Sequence, residues 1–114
     1  MEIIRGNIFI DNGIKNEGEE SFETLFTSEN ALIEKIITYG KIATPGNWYD
    51  QDKDEWVLLI QGEATLEFTN NQLIKLKKGD YLFIPAHVKH RLLITSKKPN
   101  CIWLAIHGKH KNAH

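Results

Sequence analysis

At 114 residues, with 25% charged and 41% apolar side chains, the chain has the size and balance of one soluble domain around one core. A formal net charge of -1 argues against a nucleic-acid partner, and the single cysteine rules out an internal disulfide. No apolar run approaches the ~20 residues that span a bilayer, so no membrane partner is expected.

Taken in order, the apolar segments are short and bounded by turn residues. Ile3–Ile10 reads as a first strand, ended by Asp11-Asn12-Gly13. Lys15–Ser21 is polar and acidic, a connecting segment. Phe22–Thr27 and Ala31–Thr38 are the next strands; in the second, Ile33, Ile36, Ile37 and Thr38 favour an extended chain over a helix. Gly40 to Gln51 carries Pro45-Gly46 and reads as an irregular passage with a short extended piece.

Glu55–Ile60 is aliphatic and turns back at Gln61-Gly62. Ala64–Phe68 alternates, with Ala64, Leu66 and Phe68 on one face. Asn70-Asn71 suits a tight hairpin before Leu73–Leu76, because asparagine tolerates left-handed backbone. Lys78-Gly79-Asp80 is another turn. Tyr81–Ile84, Arg91–Thr95 and Cys101–His107 follow, with Pro99-Asn100 between the last two. In Cys101–His107 one face holds Cys101, Trp103, Ala105 and His107, the other Ile102, Leu104 and Ile106. His107 therefore either projects into a cavity or packs outside. Cys101 reads as a small core residue. The tail from Gly108 to His114 is polar, and its end is expected to fray.

About nine or ten strands without a helix predict an all-β, antiparallel sandwich or barrel. The clustered lysines at 75, 77, 78, 97 and 98 mostly alternate with apolar residues, as a solvated strand face does. The first residues, Met-Glu-Ile-Ile-Arg-Gly, lack the order of a signal peptide, so a cytoplasmic protein is expected.

Two stretches carry chemistry. One runs from Trp48 through Tyr49, Asp50 and Gln51 to Glu55, with Gly62 after six intervening residues. The other is Gly79-Asp-Tyr-Leu-Phe-Ile-Pro85-Ala-His87-Val-Lys-His90. In these residues the chain resembles the cupin superfamily, small β-barrels of jelly-roll topology. Glu55 and Gly62 match the end of the first cupin motif; Gly79, Pro85 and His90 match the second. Tyr49 and Gln51 stand where metal-binding cupins place two histidines, and His87 replaces a usual glycine.

The resemblance implies a single cupin domain over 1–114, with its motif-bearing barrel at about 31–107 and a tail at 108–114. Its pocket would be walled by Trp48, Tyr49, Asp50, Gln51 and His87. A divalent ion (Zn²⁺, Fe²⁺, Mn²⁺ or Ni²⁺) would be held by Gln51, Glu55 and His90. No nucleotide cofactor is expected, since no Gly-rich phosphate loop is present. The first functional expectation is a metal-dependent enzyme acting on a small polar metabolite, of isomerase, decarboxylase or oxygenase type. The alternative is a metal-free small-molecule binding or sensor module. A third is metal-free acid–base catalysis by His90 with Glu55, or His107 with Asp50. Glu55, His90 and His107 are the candidate catalytic residues. The family's habit and the composition of Ile3–Ile10 imply a homodimer paired through edge strands.

Overall fold

A computed structural model describes residues 2–10, 16–44, 46 and 48–108. Its elements are eight strands: β1 (Glu20–Thr27), β2 (Ala31–Thr38), β3 (Asp54–Gln61), β4 (Glu63–Phe68), β5 (Leu73–Lys77), β6 (Tyr81–Ile84), β7 (His90–Thr95) and β8 (Cys101–Gly108). No helix occurs among the described residues. The strands form a five-stranded sheet, β1-β2-β8-β3-β6, and a three-stranded sheet, β5-β4-β7. Every pairing is antiparallel.

Alternation decides which side chains lie between the sheets. In β3, Val57 and Leu59 face inward, and in β8 so do Cys101, Trp103 and Ala105. From β4 come Ala64 and Leu66, joined by Leu76 and Ile84. These nine buried side chains are the core. Trp103 is 2% exposed, and its indole N–H donates to Thr38 Oγ1 at 3.1 Å, so its one polar atom is satisfied.

The chain passes from one sheet to the other at Gly62, between the end of β3 and the start of β4. Its φ is +94°, and a Cβ there would lie 2.8 Å from Cys101 Sγ and 2.8 Å from Ser96 Oγ. Glycine is required by both conformation and space.

Two expectations need correction. Ile3–Ile10 is not a strand. Gly6 and Asn7 break it: Asn7 accepts from Phe9 N through Oδ1 at 2.8 Å and from Ile10 N through its carbonyl at 3.1 Å, closing a turn. The segment lies against β1 and β2, where Lys35 Nζ donates to the Ile10 carbonyl. Among the described residues the strand count is therefore eight rather than nine or ten. Among its described residues the irregular passage contributes single bridges, at Ile42 and Tyr49. Asp11-Asn12-Gly13, Pro45 and the tail beyond Gly108 lie outside the described residues.

Candidate functional site

The inward side chains at one end of the sheets surround a cavity of about 90 Å³. Its deep wall is apolar: Val57, Leu66, Ile84, Leu92 and Trp103. Glu20 from β1, Glu34 from β2, Glu55 from β3, His90 from β7 and His107 from β8 supply the charge and imidazoles. Tyr49, Gln51 and Phe22 also line it. The volume is small beside the roughly 300–1,000 Å³ of drug-sized pockets, so it suits a ligand of a few heavy atoms.

Strand register brings these groups together. Glu55 and His107 are direct partners across β3 and β8. Glu34 is opposite Ala105, two residues from His107 on the same face. His90 opens β7, opposite Phe68 of β4. Its backbone also bridges Tyr49, whose N–H donates to the His90 carbonyl at 2.8 Å.

The centre of the site is Glu55, 7% exposed. Its Oε1 is 3.6 Å from His90 Nε2 and its Oε2 is 3.8 Å from His107 Nε2. His107 Nε2 is also 3.3 Å from Glu34 Oε1. A buried carboxylate needs such partners. His90 Nδ1 is 2.9 Å from the Val88 carbonyl, so both ring nitrogens face acceptors, an arrangement that favours the imidazolium. Burial pushes the His90 imidazole down, but the facing Glu55 carboxylate and the Val88 carbonyl push it up by more, and the net shift is above 6.5.

At the mouth, Tyr49 Oη donates to Glu20 Oε1 at 3.0 Å, and Lys41 Nζ is 3.3 Å from the same oxygen. Burial, then the Glu20 charge and hydrogen bond, then Glu55, push the phenol up to about 12. Tyr49 is therefore a hydrogen-bond donor near neutral pH and not a base. The Gln51 side chain lines the cavity without a hydrogen bond to any described residue, which leaves its amide for a ligand.

Of the residues singled out by sequence, the structure brings Tyr49, Gln51, Glu55, His90 and His107 to this cavity. Trp48, Asp50 and His87 are not among its lining. Trp48 lies under the Arg91 guanidinium, 4.4 Å from the ring centroid, while Arg91 Nε also donates to Glu67 at 2.8 Å. Asp50 Oδ1 pairs with His87 Nδ1 at 3.1 Å on the exposed rim, and His107 pairs with Glu34 and Glu55 instead of Asp50. Glu20, Glu34 and Phe22 escaped the sequence reading. A signal for Glu34 was present: with Leu32 and Ile36 on its face, it is a carboxylate set in an apolar row. Glu20 falls in a segment read as a connection, which hid its place at the start of β1.

The resemblance to cupins implies a divalent metal, which needs several imidazole and carboxylate donors turned toward one point. Among the described residues, no three or more His, Cys, Asp or Glu side chains are grouped to hold an ion. Glu55 directs one oxygen to each imidazole, and His90 and Glu55 have only the Gln51 amide as a further donor from the expected set. As placed, these side chains pair with one another and, among the described residues, do not fit a metal centre.

The comparisons agree with the fold. The family model for the cupin domain matches residues 37–107. A crystal structure of a candidate mannose-6-phosphate isomerase from Ralstonia eutropha JMP134 is 34% identical and covers 93% of this chain and 98% of its own, with a TM-score of 0.85. A cupin superfamily protein from Desulfitobacterium hafniense DCB-2 is 24% identical over 85% of this chain and 84% of its own, at a TM-score of 0.67. KdgF from Halomonas sp. shares the fold at 14% identity over 91% and 93%, with a TM-score of 0.68. No curated protein matches the chain. No helix among the described residues is long and apolar enough to cross a membrane.

Proposed function

This chain belongs to the cupin family, and from that premise we propose that its cavity performs acid–base chemistry on a small metabolite without a resident metal ion. The observation that carries the reading is Glu55, a buried carboxylate held between the Nε2 atoms of His90 and His107. A carboxylate that meets two imidazoles offers a proton acceptor and a proton donor within one small cavity.

The roles follow from the hydrogen positions that the partners favour. His90, protonated on both nitrogens, donates a proton from Nε2 to a substrate oxygen. Glu55 accepts one from the substrate and is held for that task by His107. Glu34 fixes His107 from its other side and acts as a positioning residue. Tyr49 offers a neutral phenol and Gln51 a free amide to orient the ligand. Paired donation and acceptance of this kind is the chemistry of isomerisation. The name carried by the Ralstonia eutropha protein lends support to that reaction class.

The test is proton exchange in deuterated water. Small carbonyl compounds bearing an amino or hydroxyl group beside the carbonyl are incubated with the protein, and loss of their carbon-bound proton is followed by NMR. We expect catalysed exchange in at least one compound, abolished in Glu55→Gln and unchanged by a chelator. Exchange equal in wild type and Glu55→Gln would remove the reading. Loss on chelation, with metal recovered from tag-free protein, would instead establish the metal-dependent enzyme. Ligand binding without exchange would support the sensor module. The homodimer belongs to the same proposal. It is supported by the apolar Ile3 and Ile4, 83% and 70% exposed, and a monomer in light scattering at micromolar concentration would contradict it.

A further inference from the structure

We propose that the cavity selects a small organic cation, an amine or ammonium group on a short carbon chain. The proposal rests on the reading of this cavity as the ligand site and names its substrate class. Three carboxylates line the cavity, and among the described residues no lysine or arginine does. Their side chains are 15%, 17% and 10% exposed for Glu20, Glu34 and Glu55. Among the described residues, Lys41 is the one permanent cation in contact with any of them. With His90 protonated, three carboxylates face two cations, Lys41 and His90, and the site is left with one negative charge in excess. An ammonium group supplies the missing charge directly.

The walls support the same occupant. Tyr49, Phe22 and Trp103 place three aromatic rings around the cavity, and aromatic faces attract organic cations. The unpartnered Gln51 amide adds a carbonyl oxygen, which accepts an N–H. The nearby guanidinium that could have met an anion is turned away: Arg91 is held by Glu67 Oε1 at 2.7 Å, the Thr44 carbonyl at 3.3 Å and the Trp48 ring. A phosphorylated ligand would bring its negative charge against three carboxylates, with no lysine or arginine among the described lining residues to receive it. A neutral polyol would find acceptors for its hydroxyls but would gain nothing from the excess charge.

The experiment titrates the full chain with n-propylammonium, tetramethylammonium, 1-propanol, glycerol and glycerol phosphate, followed by tryptophan fluorescence and amide NMR shifts. At least one ammonium probe is expected to bind tenfold or more tightly than 1-propanol and glycerol, with amide shifts at Gln51, Glu55 and His107. Glycerol phosphate is expected to give no shifts there. Glu34→Gln should weaken ammonium binding threefold or more in a protein that keeps its far-ultraviolet spectrum. Glu20→Gln at the mouth gives the same reading if the first variant does not fold. Glycerol or glycerol phosphate binding as tightly as the ammonium probes, or no ammonium binding at all, overturns the proposal. Failure of the acid–base reading is distinguishable. It appears as exchange unaffected by Glu55→Gln, whichever probe binds.

Discussion

The strand-borne and loop-borne polar residues at this end of the molecule behave differently. Glu34, Glu55, His90 and His107 sit on paired strands and converge on one cavity. On the two loops around it, Tyr49 and Gln51 reach the cavity, but Trp48, Asp50 and His87, close in sequence to the same motifs, are not among its lining residues. Strand pairing fixes the face of every side chain, whereas a loop residue is free to turn to a partner at the rim. Arg91 is that partner for Trp48, and Asp50 and His87 take each other. Chemistry in this protein should therefore be sensitive to the strand residues and indifferent to the rim pair.

The sharpest way to break that contrast is activity. Glu55→Gln is nearly isosteric, keeps the cavity filled and removes the proton acceptor. Exchange should fall by about 10²–10⁴-fold, the usual worth of a positioned acid or base. His107→Ala should also lower the rate, chiefly by releasing Glu55. Asp50→Ala, at the rim, should leave the rate within about twofold. Equal losses in Glu55→Gln and Asp50→Ala would erase the distinction.

Gly62 and Gly79 extend the comparison to the fold. Both are motif glycines with φ of +94°. A Cβ on Gly62 would strike Cys101 Sγ, Ser96 Oγ and the Asn100 carbonyl, while a Cβ on Gly79 would meet nothing within 4 Å. Gly62→Ala should cost about 2–4 kcal/mol of stability, combining left-handed strain with overpacking. Gly79→Ala should cost only the strain, about 1–2 kcal/mol. Denaturant unfolding of the two variants, at unchanged m-value, measures the difference.

The same distinction explains what could be read from the sequence. The two faces of β8 were legible because four alternating positions, Cys101 to His107, sit in one uninterrupted strand, although which face points inward was not. The motif spacing from Glu55 to Gly62 and from Gly79 to His90 located the cavity for the same reason. Glu34 was not recognised because the imidazole it meets, His107, comes from β8, far away in sequence. Nor could sequence place Trp48, whose position depends on the Arg91 side chain across a loop. Ile3–Ile10 misled because apolar composition resembles a strand even where Asn7 closes a turn. Its exposed isoleucines have no ladder to join.

A pH series sharpens the electrostatic part of the comparison. The folded state holds the His90 proton more tightly than the unfolded chain does. Its contribution to stability is therefore complete below the unfolded value of about 6.5 and is lost as pH rises through the higher folded value. Thermal unfolding should show stability falling across this window in wild type, and less so in His90→Gln. In Glu55→Gln the imidazole keeps its burial but loses the carboxylate, so NMR titration should place it lower than in wild type. An unchanged His90 titration in that variant would detach Glu55 from the site.

The smallest effect belongs to the rim. His87 has φ of +65°, a left-handed backbone that costs a non-glycine residue roughly 1–2 kcal/mol. The turn is closed by Val88 N donating to the Pro85 carbonyl at 3.2 Å, and His87 N–H donates to the Gln51 carbonyl at 2.7 Å. Those backbone bonds hold the loop whichever side chain stands at 87. The ion pair with Asp50 is exposed, 68% and 42% for the two side chains, and such pairs contribute at most about 1 kcal/mol. In His87→Gly the relief of strain and the loss of the pair nearly cancel, against the extra freedom of glycine in the unfolded chain. The melting temperature should shift by less than about 4 °C in either direction. A large drop would mean that the Asp50–His87 clasp, rather than the strand register beneath it, holds Gln51 at the mouth of the cavity.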